Sequence, residues 1–149
     1  MKEVNATKGE YSISTDKKLL DLNLVHHFLA NESYWSKNIP FEIVKTAAEN
    51  SLTFGIYLNK KQVGYARIIT DYATIAYLGD VFILNEHRGL GLSKWLMEQI
   101  HAHPNLQGLR RWVLLTADAH ALYKKFGWTE IANPDRYLEK VVKDIYLKK

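Results

Sequence analysis

Apolar positions along this chain recur first at the spacing of a helix, then at the spacing of a strand, then of a helix again, and these changes of period mark out its elements. Glu10 to Ser14 alternates weakly and predicts a first strand. Thr15 and Asp16 offer cap chemistry for a helix carrying Leu19, Leu20, Leu22, Val25, Phe28 and Leu29, ending near Asn31. A loop with Tyr34 and Trp35 follows, and Pro40 opens a second helix with Phe41, Ile43, Val44, Ala47 and Ala48 on its apolar side. From Leu52 the period falls to that of a strand. Leu52 to Leu58 and Val63 to Ile69, joined by Asn59-Lys60-Lys61-Gln62, predict a hairpin, and a turn at Asp71 to Thr74 leads into Ile75 to Leu84. That last run is apolar almost throughout, as a strand covered on both faces should be, and one acid, Asp80, interrupts it.

Helical spacing returns with Leu92, Trp95, Leu96 and Ile100, closed near Pro104, before a strand over Arg111 to Leu115. A short helix from about Asp118 to Phe126 is stopped by Gly127. Trp128 to Ile131 and Arg136 to Leu138 are expected to supply closing strands, while Val141 to Lys149 has too little pattern to assign. The order β, α, α, three-strand meander, α, β, α, β predicts an α/β protein with a central mixed, mostly antiparallel sheet and helices on both faces.

Composition narrows this without changing it. At 149 residues, 47% hydrophobic and 24% charged, the chain fits a single domain over 1–149 with one packed core. It has no cysteine, which removes disulfide frameworks, cysteine nucleophiles and zinc-thiolate sites. The net charge of +4 is mild and the basic residues are dispersed in short pairs, so nucleic acid is not the expected partner, and a polyanionic small ligand fits better. His26 and His27 diverge on their helix and His101 and His103 end another, so no metal site is expected. Met1 to Thr7 has no apolar leader and no run reaches the ~20 residues needed to span a bilayer, so a cytoplasmic location with no membrane contact is expected.

The segment richest in chemistry is His87-Arg88-Gly89-Leu90-Gly91-Leu92-Ser93, where a buried strand runs through a glycine-bearing loop into a helix. Glycines allow a tight turn and a close approach to a ligand, and the free N–H groups at the helix start favour an anion such as pyrophosphate. Arg88 can add a charge-assisted bond. An ordinary strand-to-helix turn would carry the same two glycines. The loop lacks the Gly-x-x-x-x-Gly-Lys-Ser/Thr pattern of a P-loop and the third glycine of a dinucleotide fingerprint.

In this context the chain resembles the GNAT superfamily of acyl-CoA-dependent N-acyltransferases. The family's pyrophosphate motif, Arg/Gln-x-x-Gly-x-Gly/Ala, is matched by Arg88-Gly89-Leu90-Gly91-Leu92-Ser93, with Ser93 at the last position. A second family region, Ala-x-x-x-Tyr-x-x-x-Gly-Phe, is matched by Ala119 to Trp128, with Tyr123 in place and Trp128 for phenylalanine; the asparagine often found seven residues before the tyrosine is Thr116 here. The resemblance implies acetyl-CoA as co-substrate, held by the main chain of Val81, Phe82 and Ile83 where strands splay and by the loop Arg88 to Ser93, with Tyr123 beside the departing thiolate. It implies direct attack by a primary amine, from a small molecule or a protein.

His120, on the same helical face as Tyr123, and Asp80, an acid within an apolar strand that Arg67 could pair, are the candidate catalytic bases beside Tyr123; a solvated surface histidine is the favoured reading of His120, and a structural ion pair explains Asp80 as well as an acceptor-site role does. Tyr34 and Trp35 either border the acceptor or cap the core. The competing expectations are an acyl-CoA sensor without turnover and a nucleotide-binding protein using the same loop. A homodimer through a strand edge or the C-terminal segment is compatible with the pattern.

Overall fold

The computed structural model describes residues 3–147. Its six strands are β1 (Asn5–Lys8), β2 (Tyr11–Ser14), β3 (Leu52–Leu58), β4 (Lys61–Thr70), β5 (Ile75–Ile83) and β6 (Arg111–Leu114), hydrogen-bonded in chain order into one sheet. Neighbours from β1 to β5 are antiparallel, and β6 joins β5 in parallel, as a helical crossover between them permits. The four helices are α1 (Leu22–His27), α2 (Phe41–Glu49), α3 (Leu92–His101) and α4 (His120–Lys124).

Strand alternation sends side chains to two separate cores, one on each face of the sheet. Ala66, Ile68, Leu78 and Ile83 face α3, which buries Leu92, Trp95, Leu96, Met97 and Ile100 against them. A helix of this length is marginal alone, and five buried side chains at about 2 kcal/mol each hold it in place. Tyr65 and Phe82 point the other way into Val25, Phe28, Leu29 and Val44, with the rings of Phe28 and Phe82 stacked 4.0 Å apart. The mixed sheet with helices on both faces is therefore as the hydrophobic pattern predicts.

The β3–β4 hairpin closes on two residues rather than four. Asn59 and Lys60 both take positive φ, 50° and 72°, the geometry whose twist matches paired antiparallel strands. Strand β1 escapes the sequence pattern because Asn5-Ala6-Thr7-Lys8 is a largely exposed edge, held by its ladder to β2 and not by an apolar face.

The single helix expected over 15–31 is broken in three. Asp16 accepts from the Lys18 N–H (3.0 Å) to start a 3-10 turn at Lys17–Leu19, and Asp21 accepts from the Leu24 N–H (3.1 Å) to start α1, which runs into a π-helical turn at Phe28–Glu32. Two aspartate caps five residues apart each begin their own turn. The expected helix from 118 to 126 keeps only His120–Lys124 as α4, followed by turns to Gly127 at φ 88°.

The expected closing strands at Trp128–Ile131 and Arg136–Leu138 do not form. Trp128 is drawn inward, its indole N–H donating to His101 Nε2 (3.1 Å), and Pro134 opens a 3-10 turn through Arg136. The main-chain donors are spent within turns, the Trp128 N–H on the Tyr123 carbonyl (3.3 Å) and the Arg136 and Tyr137 N–H groups on the Asn133 and Pro134 carbonyls (3.0 and 3.1 Å), so they are not free for a ladder.

Candidate active site

The site begins with one extra residue in β5. Tyr65 pairs with Phe82 and Arg67 with Gly79, so Ala66 alone stands opposite both Asp80 and Val81. This is a β-bulge, which bends the strand that carries it. Asp80 takes φ 54°, a left-handed conformation that aspartate tolerates better than most residues. Beyond the bend β5 leaves its parallel neighbour: the last paired residues are Leu78 and Leu114, and Gly79 to Ile83 have no ladder partner on the β6 side. The main chain of Val81, Phe82 and Ile83 thus has no strand partner on the β6 side, the Ile83 carbonyl being taken by Arg88, while the side chains of Phe82 and Ile83 are buried in the two cores.

A cleft of about 600 Å³ lies in this splay. One wall is β5 with Tyr77, Gly79, Asp80 and Val81; the other is the turn after β6, from Leu115 to Ala119, with Tyr123 behind it. The loop between α1 and α2 straps across the two. Trp35 Nε1 donates to Asp80 Oδ1 (2.8 Å), and the Tyr34 hydroxyl accepts from the Ala117 N–H (2.9 Å) on the opposite wall. The two rings meet edge to face with centroids 5.0 Å apart.

Asp80 is engaged on both oxygens. Arg67 Nε donates to Oδ2 at 2.6 Å, and the same guanidinium reaches Ser51 Oγ at 3.2 Å. The side chains of this ion pair are only 19% and 10% exposed, so each ion depends on the other for its solvation. Arg67 is the partner expected from sequence. Ser51 is not visible there, because it joins only through the register of β3 on β4, where Thr53 lies opposite Arg67.

Tyr123 is 7% exposed and lines the cleft, and its hydroxyl hydrogen-bonds to none of the described residues. Burial first, then the neighbouring Tyr34 and Asp118, push its phenol up to about 12. It stays protonated at any physiological pH. His120 lies outside the residues lining the cleft. Its Nε2 sits 3.0 Å from the Thr116 carbonyl, which can only accept, so that nitrogen carries a proton and in the neutral ring Nδ1 is left as the acceptor.

Past β5 the chain takes a 3-10 turn at Asn85–His87 and enters the glycine loop. Gly89 and Gly91 both have φ 79°, and a Cβ on either would meet nothing within 4 Å, so the backbone conformation is what calls for glycine here. The first α3 hydrogen bond runs from the Trp95 N–H to the Gly91 carbonyl (3.1 Å), and the amides from Gly89 to Lys94 find no backbone acceptor among the described residues. Leu90 is exposed, and the N–H groups of Leu92 and Ser93 lie at the positive end of the helix. Arg88 Nε donates to the Ile83 carbonyl (2.9 Å), tying the loop to the end of β5, and His87 Nδ1 meets the Tyr11 hydroxyl at 2.9 Å. A bent and splayed strand, a capless helix N-terminus and a buried phenol are thus arranged along one side of the sheet.

Residues 49–130 match the acetyltransferase (GNAT) domain family, which is more than half the chain. A Gibberella zeae protein named "putative acetyltransferase" is 34% identical over 146 residues, covering 83% of this chain and 81% of that protein. The chain belongs to the GNAT acetyltransferase family. A crystal structure from Xanthomonas campestris pv. campestris, described as a "putative acetyltransferase belonging to the gnat family", superposes with a TM-score of 0.91 at 48% identity, covering 93% of this chain and 97% of that one. The Escherichia coli ribosomal-protein-S18-alanine N-acetyltransferase shares the GNAT fold at a TM-score of 0.67 and 20% identity, over 82% of this chain and 79% of that one.

As a GNAT acyltransferase the protein draws on an acyl-CoA donor. The glycine loop fits the charge of such a donor, since six consecutive amides at a helix start offer donors to phosphate oxygens. Among the described residues no group of three or more His, Asp or Glu side chains could hold a metal ion, and no helix is long and apolar enough to cross a membrane.

Proposed function

We propose that this GNAT protein transfers an acetyl or other short acyl group from coenzyme A to a primary amine by direct attack. The observation that carries the reading is the Tyr123 phenol, partnerless and held protonated in the cleft where β5 and β6 part. The pyrophosphate would rest on the amides from Gly89 to Lys94, with Arg88 fixing the loop, and the pantetheine would take the place of a strand beside Val81, Phe82 and Ile83. That path leads the thioester from the helix N-terminus towards Tyr123.

In the reaction the amine nitrogen forms a bond to the thioester carbonyl carbon and the carbon–sulfur bond breaks. The departing sulfur takes the Tyr123 proton, and the nitrogen gives up one proton, so the products are an amide and a free thiol. The phenol regains its proton from the solvent that leads into the cleft. Holding both reactants in this geometry supplies much of the acceleration, because no covalent enzyme intermediate is required. Asp80, in the wall where the amine would enter, attracts the ammonium form, which loses one proton to solvent to become the nucleophile, and receives the second proton that the nitrogen gives up on attack once Trp35 releases Oδ1. His120 Nδ1 is the second candidate acceptor of that proton.

The engagement of both Asp80 oxygens also favours a second reading, a protein that binds acyl-CoA without turnover. Calorimetric titration with acetyl-CoA, ATP and NAD, followed by thiol release across an amine library, separates the two. Selective acetyl-CoA binding with amine-dependent release, lost in Tyr123→Phe, supports the transferase. Binding with no release from any amine supports the sensor, and failure to bind acetyl-CoA overturns both.

A further inference from the structure

We propose that His101 is a positioning residue for Tyr123, acting through Trp128. The inference rests on the reading of Tyr123 as the proton donor. Tyr123 belongs to α4, a helix of five residues that cannot hold its own shape, so its placement depends on what packs behind it. Behind it is Trp128. The rings are 5.9 Å apart, and the Trp128 N–H donates to the Tyr123 carbonyl (3.3 Å) across the turn at Gly127.

Trp128 is fixed in turn by a single imidazole. Its Nε1–H donates to His101 Nε2 at 3.1 Å, and His101 Nδ1 lies 2.9 Å from the Met97 carbonyl. An indole N–H can only donate and a carbonyl can only accept, so the two contacts together demand a neutral imidazole with its hydrogen on Nδ1. The ring is clasped by Phe126 (5.6 Å, stacked), Trp112 (5.0 Å) and Trp128 (6.0 Å). Among the described residues, no other side-chain hydrogen bond ties the segment after α4 to α3.

Adding a proton to Nε2 would set two N–H groups against each other and release the indole. Burial lowers the tendency of His101 to take that proton. The ionisable group sharing its aromatic cluster is the Tyr123 phenol. The charged side chains on the elements packed around it, Lys94 and Glu98 on α3, Arg111 on β6, Lys124 and Lys125 around α4 and Glu130 beyond Trp128, are all exposed. The imidazole therefore titrates chiefly by its own desolvation.

The test combines resonance assignment with kinetics on the full chain. In ¹³C,¹⁵N-labelled protein the Trp128 indole N–H and the Tyr123 ring C–H resonances should shift together as pH falls, with a midpoint below the ordinary imidazole value of about 6.5, and His101→Phe should abolish the transition while thermal melting shows a folded protein. In that variant kcat should drop about tenfold with the KM for acetyl-CoA nearly unchanged, and His101→Gln, which restores an acceptor, should recover part of it. In a Tyr123→Phe background His101→Phe should cost nothing further in kcat. A Trp128 indole that ignores the His101 titration, or equal kcat losses from His101→Phe with and without Tyr123, overturns the proposal. Failure of the Tyr123 reading is seen separately, as wild-type turnover in Tyr123→Phe alone.

Discussion

Trp35 and Asp80, 45 positions apart in sequence, are joined by a 2.8 Å hydrogen bond that carries the α1–α2 loop across the open end of the sheet. With Tyr34 bonded to the Ala117 amide, the loop spans two walls that the β5–β6 ladder no longer holds together. The bond also occupies the carboxylate oxygen that Arg67 leaves, so it sets what Asp80 can offer a molecule entering the cleft.

Trp35→Phe should therefore act on the acceptor and not on the donor. Removing a hydrogen bond from a side chain 41% exposed costs stability by less than about 1 kcal/mol. The acceptor KM should move by about tenfold while the calorimetric acetyl-CoA affinity stays within about twofold. A matching change in acetyl-CoA affinity would place Trp35 on the donor side instead.

Arg67→Met removes the partner of a carboxylate that is only 10% exposed on its side chain. A mostly buried carboxylate left without its cation should cost about 2 to 4 kcal/mol in urea unfolding, eased by the Trp35 N–H that still donates to it. Arg67→Met combined with Asp80→Asn should recover part of that loss, since asparagine also tolerates the left-handed backbone at this bulge. Equal destabilisation by the single and double variants would mean that the guanidinium serves Ser51 more than Asp80.

Gly91→Ala separates space from conformation. The added methyl would meet nothing, so the expense is the strained φ of 79°, about 1 to 2 kcal/mol. Relief of that strain re-aims the amides of the helix start, and acetyl-CoA should bind at least about tenfold more weakly. Retained affinity in a folded variant would remove the loop from the proposed phosphate site.

Raised phenols make an alkaline limit. Burial pushes Tyr57 and Tyr65 well above the usual range and Tyr123 up to about 12. A raised folded-state value means the protonated form is favoured by folding, so this stability is complete below the unfolded value of about 10 and is lost as pH rises through the folded values. Melting temperature should fall above about pH 10, with Tyr123→Phe flattening part of that fall, and no decline in kcat below that pH should trace to Tyr123.

Most of this fold could be read before its structure because the hydrophobic period and the burial agree. The three meander strands, α2, α3 and the glycine loop fall where the pattern puts them. Elements that rest on other forces could not be read. β1 is held by backbone pairing alone, and the stretch before α1 is divided by two aspartate caps, a local competition that apolar spacing does not record. At the site, Arg67 could be paired with Asp80 from adjacent strands, since a buried acid needs a cation nearby. The bulge that turns Asp80 towards Trp35 is a matter of register, set by how β4 and β5 meet, and nothing in either strand's composition announces it.

The two margins of the sheet bear on how the protein behaves when concentrated. Each outermost strand, β1 and β6, is four residues long, and each presents a cation, Lys8 on one and Arg111 on the other. Short charged borders are poor templates for another chain's backbone, and two molecules meeting there would bring like charges together. The same sheet that parts between β5 and β6 thus discourages edge-to-edge aggregation at its rims.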